Sequence, residues 1–431
     1  MESMVPWRKT HKLLCEAGER ALCRCGGHGA AEETAARVTA PVLYGFCRWV
    51  LETAQKRGWK RLYFLARDGW LLRQICEELC RQEGWDIDCR YLYVSRLALR
   101  KACFHLTRDW EQLFQPSLYT TLRGILSRMG LDAGRCEEWG LEKEELDKPL
   151  LREELFEMQK RLSQNDAFSK AILSVSEEAF KPAMGYFEQE GLLDGEKIVL
   201  VDTGWTGSMQ RTLRILLESG GWKGEISGLY FGLYVPPVSV TDGEYQSWYF
   251  APESSAGRKA SLCNNVVEAM CATPHGMTLG YEEKNGRWEP VLAQSRGSRQ
   301  AIFRRRDIVL AFCREMQGLC CPEEELLACA RRMMGKLCKN PSVSQALAFA
   351  DVLFCDDVGE GYLSPLAVPV SRRVLREYTI FRRLKKGKKP KPLFWPEGCL
   401  ALSPVKWQGW YRLNLYGWEL LRQLYQKRQG K

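Results

Sequence analysis

Two short apolar runs, each closed by a charged turn, organise this chain. In Arg61-Leu62-Tyr63-Phe64-Leu65-Ala66-Arg67-Asp68-Gly69-Trp70, four apolar residues lead into a charged pair and a glycine, and Leu71, Leu72, Ile75 and Leu79 follow at helical spacing. The pattern predicts a buried strand, a sharp turn, and a helix over about 70–82 that folds back on the strand. Lys197-Ile198-Val199-Leu200-Val201-Asp202-Thr203-Gly204-Trp205-Thr206-Gly207-Ser208 has the same grammar, with a helix expected from about Met209. Turn residues and helix N-termini converge at the carboxyl ends of parallel strands, where open α/β sheets bind ligands. Asp68 and Asp202, one at each turn, are therefore the leading candidates for chemistry.

The rest of the chain falls into place around these two units. Residues 1–40 are an N-terminal extension of mixed character, interrupted by the Gly-Gly-His-Gly turn at Gly26 to Gly29. In 41–103, Val42, Leu43, Phe46, Trp49 and Val50 mark an amphipathic helix ahead of the first strand, and Arg90 to Val94 supplies a second strand ending in Ser95-Arg96. Strand, helix, strand is a βαβ unit with parallel strands. Residues 104–190 contain no strand pattern and read as a helical, cap-like insertion punctuated by Gly130, Gly140 and Pro149. Residues 191–295 resume the sheet, with a further strand from Ile226 to Val235 ended by Pro236-Pro237. Ser247 to Phe250 has little regular pattern, Asn265 to Cys271 reads as a helix, and Thr278 to Tyr281 with Trp288 to Val291 as a hairpin. Residues 296–431 are mainly helical, basic and aromatic-rich. The fold class expected is α/β: a Rossmann-like, three-layer parallel sheet with a helical insertion and a mainly helical C-terminal region.

Composition narrows the class. The 431 residues are 45% hydrophobic and 27% charged, which describes a globular chain rather than a disordered one. No apolar run approaches the roughly 18 residues needed to span a bilayer, and no signal peptide is evident, so a cytoplasmic protein is expected. Cys76, Cys80, Cys313, Cys320 and Cys329 fall on or beside apolar helical positions, where a reduced thiol packs as a small hydrophobe. Cys23-x-Cys25-x-x-His28 lacks a second ligand pair, which argues against a zinc site. The net charge of +10 is concentrated near the C-terminus, in Arg372, Arg373, Arg376, Arg382, Arg383, Lys385, Lys386, Lys388, Lys389 and Lys391. That asymmetry calls for an anionic partner: a phosphorylated ligand, a membrane surface, or, least favoured, nucleic acid. Trp395, Trp407, Trp410, Tyr411, Tyr416, Trp418 and Tyr425 add aromatic rings to the cluster, which suits peripheral contact with an anionic membrane or with membrane-bound enzymes; an ordinary aromatic core with a solvated basic loop explains them equally well.

Two carboxylates at adjacent strand ends could bind Mg²⁺ beside a phosphate or act as general acid and base; alternatively each caps the helix that follows. Gly204, Trp205, Thr206, Gly207 and Ser208, with Thr203, could cradle an anion through backbone N–H groups, hydroxyls and the helix dipole. The stretch is neither a Walker A loop nor a dinucleotide fingerprint. Arg67, Gly69, Ser95 and Arg96 could complete the phosphate site, although a structural ion pair from Arg67 to Asp202 is an alternative. His275, between Pro274 and Gly276 with Glu268 on the preceding helix, is the histidine best placed for catalysis. Asp86-x-Asp88 precedes a strand and reads as a solvated turn, and Asp356-Asp357 before Gly359-Glu360-Gly361 as the end of a helix.

The combination of Tyr63 to Gly69, Tyr91 to Arg96, Val201 to Gln210, Glu268 to Gly276 and Phe394-Trp395-Pro396-Glu397-Gly398 resembles a bacterial family of predicted hydrolases of the haloacid dehalogenase (HAD) superfamily, often associated with surface-polysaccharide genes. The resemblance covers roughly residues 40 to 405. It implies a hydrolase or phosphotransfer enzyme acting, with Mg²⁺, on a phosphorylated sugar or nucleotide-sugar in polysaccharide synthesis. It implies Asp68 and Asp202 as metal ligands or proton carriers, with His275 and Glu268 closing the site. One departure stands out: enzymes of that superfamily carry Asp-x-Asp after the first strand, and here Ala66 occupies the nucleophile position; longer relatives are expected to carry the full motif in an N-terminal domain. Val199 to Ser208 is also similar, more distantly, to the phosphoribosyl-pyrophosphate loop of phosphoribosyltransferases, which makes a ribosyl-pyrophosphate-using enzyme one alternative. A catalytically degenerate ligand-binding scaffold at the membrane surface is the other.

Overall fold

The computed structural model describes residues 7–429 except 118–119, 196, 236–242, 296, 351, 356–362 and 385–392. The chain is mixed α/β. Its centre is a five-stranded, all-parallel sheet in the order β2-β1-β3-β4-β5, comprising β1 (Arg61–Leu65), β2 (Asp88–Leu92), β3 (Lys197–Trp205), β4 (Glu225–Leu233) and β5 (Glu244–Phe250). Phe64 pairs with Tyr91 on one side and Val201 on the other, which sets the two candidate turns at neighbouring strand ends.

Side chains of the strands alternate between two cores, as the two-residue period of a pleated strand requires. Leu62 and Phe64 of β1, with Val199 and Val201 of β3, enter the larger core. That core is built with the helices Ala40–Arg57, Gly69–Glu83, Asn264–Met270, Arg299–Glu315 and Glu323–Lys339. Tyr63 and Leu65, with Ile198 and Leu200, enter the smaller core under the helices Arg96–Thr107, Asp166–Gln189 and Ser208–Ser219. Strands buried on both faces explain why these runs are continuously apolar.

Several boundaries differ from the sequence reading. The N-terminal extension is built into the larger core: Leu14, Ala17 and Ala21 of the Trp7–Cys25 helix are buried there, and Arg20 and Arg24 each reach Glu315 at 2.7 Å. β2 begins and ends two residues earlier than expected, because the chain turns at Val94, whose N–H returns to the Leu92 carbonyl. The stretch around Ser247 is an edge strand, β5; its first four residues are only half-buried, which hid the strand period. The insertion folds around its own core of Phe104, Leu113, Ile125, Trp139, Phe168 and Ile172. It leans on the flank of the sheet, where Tyr186 Oη accepts the Tyr93 N–H (3.0 Å) and the Glu190 and Gly191 carbonyls accept from Tyr63 Oη. The expected hairpin is present as β6 (Thr278–Lys284) and β7 (Arg287–Leu292), and the C-terminal region is mainly helical with one short strand pair. Cys76, Cys80, Cys313 and Cys329 are buried, but Cys320 lies exposed after its helix. No helix among the described residues is long and apolar enough to cross a membrane. The Pro236-Pro237 strand stop, the turn at Asp356 to Gly361 and the lysines from 385 to 391 lie outside the described residues.

β3 runs on to Trp205, past the point where the sequence suggested a loop, because Gly204 and Gly232 lie side by side in β3 and β4. Gly204 has φ +118°, and a Cβ there would stand 2.1 Å from the Gly232 carbonyl oxygen. Gly204→Ala should therefore destabilise the protein by about 1–3 kcal/mol, the usual scale of a forced overpacking. Urea denaturation measures this, and an unchanged midpoint would contradict the close approach of the two strands.

Candidate functional site

The two turns meet at the carboxyl edge of the sheet. Asp68 stands at the N-cap position of Gly69–Glu83, yet its side chain accepts no hydrogen bond from that helix, so the capping explanation for this residue fails. Its Oδ2 accepts instead from Thr203 Oγ1, which ties the end of β1 to the end of β3 across 135 residues of sequence. Gly69 allows the approach: a Cβ there would lie 2.7 Å from the Phe64 carbonyl carbon. Asp202, buried at 6% exposure, accepts the Thr203 backbone N–H on Oδ1 at 2.9 Å. The third carboxylate, Glu268 on Asn264–Met270, accepts from the Trp205 indole N–H at 2.9 Å.

Electrostatics follow from this crowding. Burial, then the negative charge of Glu268, push the Asp68 carboxyl up to about 7, against the Thr203 hydrogen bond and the charges of Arg67 and Arg96. Burial and the neighbouring Asp68 hold Asp202 well above the ordinary carboxylate range, opposed by the backbone N–H groups of Thr203 and Gly204. Arg67 and Arg96 are exposed, and among the described residues no ion pair ties either to an acid, so the alternative of a structural Arg67–Asp202 pair is not seen. Two exposed cations thus stand beside two carboxyls that resist ionisation.

His275 reaches the same edge. Its Nδ1–H donates to the Gly276 carbonyl at 2.8 Å, which leaves Nε2 to accept from Tyr91 Oη at 2.8 Å. Burial, reinforced by Arg67, lowers its pKa, with the Gly276 bond opposing, so the ring is neutral at neutral pH. Tyr91 was not among the sequence candidates. The only hint was the Tyr91/Tyr93 alternation on β2, and both rings pack against His275.

The anion cradle is tighter than the sequence suggested. Gly204 and Trp205 belong to the strand, Ser208 opens the Ser208–Ser219 helix, and only Thr206 and Gly207 turn the chain. Gly207, at φ +68°, lies under the Tyr245 ring with no room for a side chain. The helix N-terminus has no side-chain cap, and Thr206 beside it is exposed. Ser95, in contrast, is committed to structure: its hydroxyl accepts the Ala98 N–H (3.0 Å) and donates to the Thr278 carbonyl (2.6 Å), which makes it the cap of Arg96–Thr107. Beneath the cradle, Tyr230 Oη donates to Gln210 Oε1 at 2.8 Å, fixing the first turn of the helix to β4.

No protein-family model matches the chain, and no curated protein matches it. Among the described residues, no set of three or more His, Cys, Asp or Glu side chains is arranged to hold a metal ion. In their ionised forms Asp68 and Asp202 would fit Mg²⁺ as a pair of hard oxygen donors, provided that substrate and water fill the remaining positions, as is common for that ion. Elsewhere, Asp88, which opens β2, accepts from Arg61 (3.1 Å) and Arg90 (2.7 Å) and Asp86 is almost fully exposed, so that motif is a solvated surface at the start of the strand. A depression of about 340 Å³ opens there, at the amino edge of the sheet and away from the acids; its Lys60 and Lys197 are already paired with Asp86 and Glu225.

A carboxyl raised on folding binds its proton more tightly in the folded than in the unfolded chain. Its stabilising contribution is fully present below about pH 4 and is lost as pH rises through about 7. Asp68→Asn removes this dependence. Relative to the wild type, the variant should gain roughly 1–4 kcal/mol between pH 4.5 and pH 8 in urea denaturation. Parallel stability profiles for the two proteins would show that Asp68 titrates normally.

Proposed function

We propose that this chain is an enzyme of phosphate-ester chemistry, a hydrolase or phosphotransferase acting on a phosphorylated sugar or nucleotide-sugar. The observation that carries the reading is the meeting of Asp68 and Asp202 at the carboxyl ends of adjacent strands β1 and β3, through Thr203. The strand order is compatible with a Rossmann-like sheet in which connections leave β1 and β3 in opposite directions, and such divergence opens a ligand crevice. The resemblance to predicted HAD hydrolases favours the same chemistry, and surface-polysaccharide synthesis as its setting.

Arg67 and Arg96 bind the phosphate oxygens, with the open N-terminus of Ser208–Ser219 as a further donor. Asp68, held near neutrality, is the proton carrier. Water attacks phosphorus, the bond from phosphorus to the ester oxygen breaks, Asp68 protonates the departing oxygen, and the resulting carboxylate takes the proton lost by water. With Ala66 in the nucleophile position, the route is direct displacement without a phosphoaspartyl intermediate. Asp202 and the ionised form of Asp68 are the residues that would hold Mg²⁺, which would supply charge neutralisation. His275, neutral and oriented by Gly276, positions Tyr91 beside the Arg67 turn.

The test is phosphate release from a panel of sugar phosphates and nucleotide-sugars, with and without Mg²⁺. Asp68→Asn should lower kcat about 10²–10⁴-fold with the fold intact, and the wild-type rate should fall above about pH 7, where the acid form disappears. Full activity in Asp68→Asn would sink the mechanism. Pyrophosphate release from phosphoribosyl pyrophosphate, with no ester hydrolysis, would move the assignment to phosphoribosyl transfer.

A further inference from the structure

The C-terminal helix Gln408–Gln429 is amphipathic in an unusual sense, because both its faces are apolar. Tyr411 and Leu415 face inward and are buried in a small core with Leu375, Tyr378 and Leu400. The opposite face carries Trp410, Leu413, Leu421 and Leu424, exposed at 50%, 72%, 45% and 45%. At 100° per residue these four fall within one quadrant of the helix. Gly417, on the same side, lies against Ile380, which brings the Ile380–Leu384 helix alongside; its Phe381 and Leu384 are exposed at 68% and 67%. Just before the helix, Trp407 is 76% exposed and held at φ +66°, a conformation that a bulky side chain rarely adopts. A contiguous apolar face of this kind marks an interaction surface.

Charge identifies what covers it. Between Ser371 and Lys431 there are 16 Lys and Arg against 3 Glu, so the other 370 residues hold 47 basic and 50 acidic side chains. The entire positive excess of the chain belongs to the region that carries the apolar face, and Arg372, Arg373, Arg376 and Arg382 are exposed there. A second copy of the chain would set this excess against itself, and a polynucleotide offers nothing to a row of leucines. An anionic lipid surface takes both, the leucines and tryptophans entering the headgroup boundary and the arginines meeting lipid phosphates. We propose that the Gln408–Gln429 and Ile380–Leu384 helices dock the protein on an anionic membrane, lying on its surface. The helix is not apolar enough over its length to span it. The inference is independent of the chemistry proposed above.

The experiment is co-sedimentation of the full chain with phosphatidylcholine vesicles, with and without phosphatidylglycerol. Binding is expected only to the anionic vesicles and should weaken with salt. Leu413→Glu with Leu424→Glu should reduce it at least about tenfold, and Arg372→Glu, Arg373→Glu and Arg382→Glu together should do the same. Both variants change exposed residues, and their thermal unfolding checks that they fold. Absence of binding to anionic vesicles, or binding that the leucine variant retains, overturns the proposal. A dimer in sedimentation velocity that the leucine variant dissociates, without vesicle binding, would assign the face to a second copy instead.

Discussion

Everything at the carboxyl edge of the sheet depends on keeping the half-buried Asp68 beside the buried Asp202. Two ionised carboxylates in that position would repel each other and lose hydration at the same time, each a cost of several kcal/mol. The structure meets the constraint by proton retention, with Thr203 serving both acids: its hydroxyl donates to Asp68 and its backbone N–H to Asp202. The glycines are the steric counterpart. Gly69 lets the first turn close on Phe64, and Gly204 with Gly232 lets β3 and β4 run together past the point where a side chain would part them. A change at any of these positions reaches the acids through the backbone.

Much of this was legible in the sequence because it rests on local pattern. The apolar runs ending in Arg67-Asp68-Gly69 and Asp202-Thr203-Gly204 gave both strands, both turns and the helices after them, and the doubly buried sheet follows from the continuity of those runs. What stayed hidden depends on partners distant in sequence. Nothing local says that Asp68 accepts from Thr203 rather than capping its own helix, or that Ser95 spends its hydroxyl on Ala98 and Thr278. Tyr91 is one tyrosine among 16 until His275 arrives from 184 residues away. Edge strand β5 escaped for a related reason: its polar first half faces partial solvent, so the period that betrays a strand is absent from the side chains although the backbone pairs with β4 along the strand, apart from one register shift near its end.

The charges around the acids give the arrangement its direction. Had Asp68 and Asp202 been ionised structural groups, the nearest cations would be expected to close on them, as Arg61 and Arg90 close on Asp88 at the other edge of the sheet. Arg67 and Arg96 do not close; they stay exposed beside carboxyls whose ionisation is shifted upward. Acids reluctant to ionise, beside unpaired cations, favour anions at a site whose residue types alone would suggest the opposite. Binding of a phosphate there would engage the arginines and leave Asp68 as a proton donor at the ester oxygen. A dianion arriving at two ionised aspartates would meet only repulsion. On the proposed reading, the retained proton is what suits one site both to holding a phosphate ester and to breaking it.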